Sequence, residues 1–139
     1  MMSEYGMNNI PSNQFRRIAR GYAEKIVKLR RTPSYPPEPA EDMTDEEYEQ
    51  MVIEAIAQRD TKINRLHDKL RAMVKELLRR VGLPNLPLSV VAGTRVNLPR
   101  ILANCPACHV TVNFADSVVF VDGKLGLKCP QCGVERWEN

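Results

Sequence analysis

The chain has 139 residues, 20 Lys and Arg against 17 Asp and Glu, a formal charge of +3 and 43% hydrophobic residues. No apolar run reaches the roughly 18 residues that a membrane helix needs, and Met1 to Arg20 offers no stretch fit for a signal peptide, so an intracellular protein of the cytoplasm, nucleoid or nucleus is expected. No paired acid and base, glycine-rich phosphate loop or open metal site points to an enzyme or to a small-molecule substrate.

Taken in chain order, the first element (1–31) is a basic helix. Phe15, Ile18, Tyr22, Ile26 and Leu29 recur every three or four residues, Ser12 is placed to cap the start, and Thr32-Pro33 ends the helix because the residue before proline avoids helical angles. Arg16, Arg17, Arg20, Lys25, Lys28, Arg30 and Arg31 face a single acid, Glu24. The stretch 32–43 holds Pro33, Pro36, Pro37 and Pro39 and reads as a stiff linker. Its P-x-x-P spacing, which can dock on aromatic grooves, is common by chance.

The second element (44–82) is a long amphipathic helix. Thr44 and Glu47 form a capping box, and neither Pro nor Gly interrupts the chain before Gly82. The acids Glu38, Glu41, Asp42, Asp45, Glu46, Glu47, Glu49 and Glu54 crowd its start, where the helix dipole favours negative charge. Val52, Ile56, Ile63, Leu66, Leu70, Met73 and Leu77 alternate steps of four and three, a coiled-coil seam in which Arg59 takes one place and is expected to snorkel to solvent. His67 beside the seam reads as a half-exposed packing residue. The seam needs a partner. The expected arrangement is a hairpin in which the first helix folds back on the start of the second, with the ribbon, a second copy of the chain in a homodimer or a foreign protein partner covering the remainder from about Leu66 to Val81, self-association being favoured.

Gly82-Leu83-Pro84 stops the helix, and the last element (83–139) is read as a small β domain. Ser89–Ala92 and Thr94–Leu98 are expected as extended segments, Val110 to Phe114 as a strand, and Asp122-Gly123 as the type I′ turn of a hairpin. Arg95, Arg100, Lys124, Lys128 and Arg136 make this region basic, and Trp137 is expected to cap its sheet. Two matched pairs, Cys105-Pro106-Ala107-Cys108 and Cys129-Pro130-Gln131-Cys132, are separated by residues 109–128. This is the spacing of a four-thiolate metal site. Gly133 after the second pair suits a turn with positive φ, and His109 stands at the matching place after the first; His tolerates that conformation better than most residues.

On Cys105, Cys108, Cys129, Cys132, Pro106, Pro130 and Gly133, the region 100–139 resembles the zinc-ribbon family, with His109 where a glycine is common. The resemblance implies two knuckles clasping one Zn2+ per chain, joined by short antiparallel strands, the metal being structural. Ribbons of this kind occur in transcription, replication, ribosomal and mobile-element proteins. Iron in a rubredoxin-like site is the chemical alternative. A redox C-x-x-C would need a helix start in a βαβ unit, and two disulfides would need an oxidising compartment.

The fold class expected is therefore α+β, a helical hairpin or coiled-coil-like helix followed by a small antiparallel β zinc ribbon. Four thiolates around one Zn2+ lower the metal-loaded charge to about +1, so any affinity for nucleic acid has to come from local clusters. The expected function is binding rather than catalysis, in association with DNA or RNA, through Arg16, Arg17, Arg20, Lys28, Arg30, Arg31, Arg95, Arg100, Lys124 and Lys128. The alternative is an adaptor that docks on RNA polymerase or another nucleoprotein complex through its seam and ribbon, a reading that the acidic block favours.

Overall fold

The structure is a computed structural model that describes residues 7–31 and 41–139, so most of the proline-rich stretch lies outside the described residues. Two single 3-10 turns, Met7–Asn9 and Ser12–Gln14, lead into helix α1 (Phe15–Arg31), which is followed by helix α2 (Asp45–Arg80). At 36 residues, α2 is about 54 Å long. Six short strands follow: β1 (Ser89–Val91), β2 (Arg100–Asn104), β3 (Thr111–Asn113), β4 (Val118–Val121), β5 (Lys124–Lys128) and β6 (Glu135–Trp137), with a single helical turn α3 (Phe114–Ser117) between β3 and β4. They form two antiparallel three-stranded sheets, ordered β1-β2-β3 and β4-β5-β6. The fold is α+β, a long helix with small antiparallel sheets toward the C-terminus. Among the described residues, no helix is long and apolar enough to cross a membrane.

Local chemistry accounts for most boundaries. Thr44 caps α2, its hydroxyl accepting from the Glu47 amide at 3.1 Å. At the other end, Gly82 has φ +82°, and the amides of Leu83 and Gly82 donate to the carbonyls of Leu78 and Arg79. This is a Schellman closure, and a side chain at Gly82 would strain it. Asp122 and Gly123, with φ of 52° and 79°, make the two-residue turn that pairs Val121 with Lys124.

The helices pack antiparallel, but on the other half of α2 from the one the sequence suggests. Phe15, Ala23, Leu70, Met73, Val74, Leu77 and Leu78 share one buried cluster with Met7, Val81, Ile101, Ala103, Phe114, Leu125 and Leu127. The reason is apolar width. In the second half of α2 the seam is flanked by Val74, Leu78 and Val81, which broaden the stripe enough to be covered by α1 on one side and by both sheets on the other. The first half carries a narrower stripe among acids. Its Ile53 and Ile56 remain 54% and 36% exposed. The seam from Ile63 to Leu77 is thus buried within the chain except at half-buried Leu66, and among the described residues nothing buries the start of the helix.

Two further expectations change. Ser12 does not cap α1; its hydroxyl donates to Glu138 at 2.9 Å and accepts from Arg80 at 3.2 Å. Thr94–Leu98 is a tight turn rather than a strand, because the Thr94 hydroxyl accepts from the amides of Val96 and Asn97 and so diverts them from any ladder. The strand lies after it, in Arg100–Asn104, which pairs with both β1 and β3.

A polar network welds the N-terminal turns to the end of α2. Arg80 donates to Glu76 at 2.9 Å and to the Ile10 carbonyl at 2.8 Å, and its guanidinium lies 5.4 Å from the Phe15 ring centre. Arg79 grips the same carboxylate through two hydrogen bonds of 2.8 and 2.6 Å. Burial raises the Glu76 pKa, yet the hydrogen bonds from Arg79 and Arg80 outweigh it and hold the carboxyl below its ordinary value. Ser12 extends the network to Glu138, whose other oxygen accepts from the Leu125 amide at 2.7 Å.

Candidate metal centre and basic surfaces

Each cysteine pair occupies the loop of a hairpin. Cys105 follows β2 and its loop returns into β3; Cys129 follows β5 and its loop returns into β6. The two loops close with the same bonds. The Cys105 amide donates to the Val110 carbonyl at 2.8 Å and the His109 amide to the Cys105 carbonyl at 2.9 Å; Cys129 with Val134, and Gly133 with Cys129, repeat these at 3.0 and 2.9 Å. His109 and Gly133 take matching positive φ values of 63° and 77°, so the histidine adopts the left-handed turn that glycine adopts in the second loop.

The loops bring the four sulfurs together. Cys105 Sγ is 3.7 Å from Cys132 Sγ, Cys108 Sγ is 3.7 Å from Cys129 Sγ, and all four lie within 4.8 Å of one another. Sulfurs held tetrahedrally at about 2.3 Å from a central ion stand roughly 3.8 Å apart, whereas a disulfide needs about 2.05 Å. The cysteines are free thiols, spaced for a metal and not for pairing with each other. His109 is outside the cluster.

Electrostatics favours the same reading. The amides of Cys108 and Ala107 point at Cys105 and bring its pKa down to about 6 despite burial, and those of Cys132 and Gln131 lower Cys129 likewise. For Cys108, the Val110 amide favours the thiolate, but burial and the three neighbouring thiols raise its pKa to about 11. Four thiolates this close repel one another, and a cation among them removes that cost. A metal held by all four would have no open coordination position.

The cationic residues expected to contact nucleic acid do not form one surface. Arg16, Arg17, Arg20, Lys28 and Arg31 are exposed along α1, with Arg20 paired to Glu24 at 2.9 Å and Arg17 donating to Gln14 at 3.2 Å. Arg16, Arg20 and Arg100 rim an apolar cavity of about 170 Å3 between the helices and the first sheet. Lys124 and Lys128 lie at the two ends of β5, Lys128 being 3.9 Å from Glu135. Arg30 and Arg95 meet in a separate cleft with Arg59.

The densest positive surface was only half legible. Lys25, Lys28, Lys62, Arg65 and Lys69 line a groove of about 450 Å3 between α1 and α2, floored by Leu29 and Leu66, and no carboxylate lines it among the described residues. Lys69 reaches over the Tyr22 ring at 5.8 Å. The steps of three and four in Lys62, Arg65 and Lys69 carry the signal for the α2 side, but which row of α2 faces α1 depends on the helix packing. No family model matches this chain, and no curated protein or solved structure matches it either.

Proposed function

We propose that this protein is a zinc-ribbon binding protein that associates with nucleic acid. Cys105, Cys108, Cys129 and Cys132 would hold one Zn2+ that stabilises the two hairpin loops, and the groove of Lys25, Lys28, Lys62, Arg65 and Lys69 would contact phosphates. Support for the groove is its composition: five cations on two facing helices, with no acid among the described lining residues. A closed four-thiolate site, with no paired acid and base among the described residues, favours binding over catalysis. A role in transcription, replication or mobile-element transactions is the context that the ribbon resemblance suggests.

The test is fluorescence anisotropy with DNA and RNA oligonucleotides at two salt concentrations. Three to five phosphate contacts predict a fall in affinity of about 50- to 500-fold between 50 and 200 mM salt, and replacing Lys62 and Lys69 by Gln should reduce the log–log slope by about 2. No binding at 50 mM salt, or binding indifferent to salt, refutes the reading. The adaptor reading has its own support in the acidic start of α2, where Ile53 and Ile56 are exposed among Asp45, Glu46, Glu47, Glu49 and Glu54. It predicts a complex with a protein surface that is guided by charge but held by the apolar contact of Ile53 and Ile56, so that it survives added salt and is lost in Ile53→Asp.

A further inference from the structure

We propose that the cleft between Arg30, Arg59 and Arg95 is a binding site for a phosphate group, distinct from the lysine-rich groove. Arg59 belongs to the row Arg59-Ile63 on α2, about 60° around the helix from the row Lys62-Leu66 that lines the groove, and the two sites share no lining residue. The cleft encloses about 370 Å3 and is lined by Arg30, Arg59, Asp60, Ile63, Asn64 and Arg95.

Two of its donors have no partner among the described residues. The Nε atoms of Arg30 and Arg59 are buried and make no hydrogen bond, although a buried donor without a partner costs about 1–3 kcal/mol. Arg59 meets Asp60 only at 3.5 Å, through a different nitrogen, and Asp60 is 57% exposed, so among the described residues one peripheral carboxylate lines the cleft with three arginines. Arg95 is presented by a rigid turn. The Thr94 amide donates to the Asn97 carbonyl at 2.9 Å, Arg31 Nε donates to the Arg95 carbonyl at 2.5 Å, and a Cβ at Gly93 would lie 2.8 Å from the Asn97 oxygen. Three forked donors from three elements, with the Asn64 amide beside them, match the tetrahedral, multiply accepting oxygens of phosphate better than a planar carboxylate. Sequence reading gave Arg59 to solvent, but its side chain is only 29% exposed.

The site takes either a free phosphate or a terminal phosphate of a nucleic acid, and one experiment separates the sources. The zinc-loaded protein is titrated with inorganic phosphate by calorimetry at constant ionic strength, then with 5′-phosphorylated and 5′-hydroxyl oligonucleotides of one sequence. Inorganic phosphate should bind, and Arg59→Gln or Arg95→Gln should weaken it about tenfold or more, with circular dichroism and metal content unchanged. A preference for the phosphorylated oligonucleotide that Arg59→Gln removes assigns the site to nucleic-acid ends. Phosphate binding with no such preference assigns it to a small phosphate ligand. The proposal is overturned if neither phosphate up to about 10 mM nor the 5′-phosphate is recognised, or if recognition is unchanged in both variants. The groove variant with Lys62 and Lys69 replaced by Gln should bind inorganic phosphate normally, so failure of the groove reading and failure of this site are distinguishable.

Discussion

Replacing Arg80 by Met keeps the apolar stem and removes the guanidinium that joins α2 to the N-terminal turns. The side chain is 10% exposed and Glu76 is 6% exposed, so both charges lie largely out of water. The variant removes the hydrogen bonds to Glu76 and to the Ile10 carbonyl, of 2.9 and 2.8 Å. Each bond to a charged group is worth about 1.5–3 kcal/mol, and breaking one side of a buried pair costs about 3–5 kcal/mol. Glu76 keeps its fork with Arg79, which places the expected loss at the lower end, about 3 kcal/mol, or about 9–15 °C in melting temperature for a chain of this size. Urea unfolding of the metal-loaded protein, followed by circular dichroism, reads the loss directly. Removing the carboxylate as well, in Glu76→Leu with Arg80→Met, should recover part of it, because a buried carboxylate left with one of its two guanidinium partners is under-compensated, and the double variant no longer buries that charge. A loss under about 1 kcal/mol for Arg80→Met, or a double variant worse than the sum of the singles, refutes the reasoning.

Removing the metal by chelation, or replacing Cys105 by Ser, should release the two hairpin loops while α1 and α2 keep most of their helical signal, since metal binding is folding free energy for the module that holds it; Trp137 fluorescence unaltered in metal-free protein contradicts a structural metal. Gly126→Ala should cost about 1–3 kcal/mol, because its Cβ would stand 2.5 Å from a Trp137 ring carbon across the β5–β6 pair, and a melting temperature equal to the parent's defeats that account. His67 has its pKa lowered by burial and by Arg30, so the unfolded chain binds more protons than the folded one as pH falls past the ordinary histidine range. The stability that this group contributes is present above about pH 6.5 and is lost as pH drops, and His67→Leu should flatten that part of the pH–stability curve; equal slopes in the two proteins reject it.

The sequence carried those features in which one residue decides a local geometry. Thr44 at the start of α2, Gly82 at its end, Asp122-Gly123 between β4 and β5, and the paired cysteines with Gly133 each act within a few residues, where capping and turn chemistry leave few alternatives. Features set by packing were not legible. A linker of the length of residues 32–43 permits several placements of α1 on α2, and only the flanking Val74, Leu78 and Val81 favour the one adopted. Arg80 and Arg59 looked like surface charge because nothing local marks a guanidinium that burial will claim. Strand β2 was hidden because inward Ile101 and Ala103 make too short an alternation to stand out beside Pro99 and Arg100.

The unequal cover of α2 makes one rod behave as two materials. From Ile63 onward its backbone is packed against the core, while from Asp45 to Gln58 no side chain is buried among the described residues, and a helical segment that short with so little packing is marginal in water. Amide hydrogens should therefore exchange in a gradient along a single continuous helix. A tip that melts and re-forms sweeps a wider radius than a rigid one, so whatever it meets is captured early and ordered late, and part of the binding free energy is spent on freezing the tip.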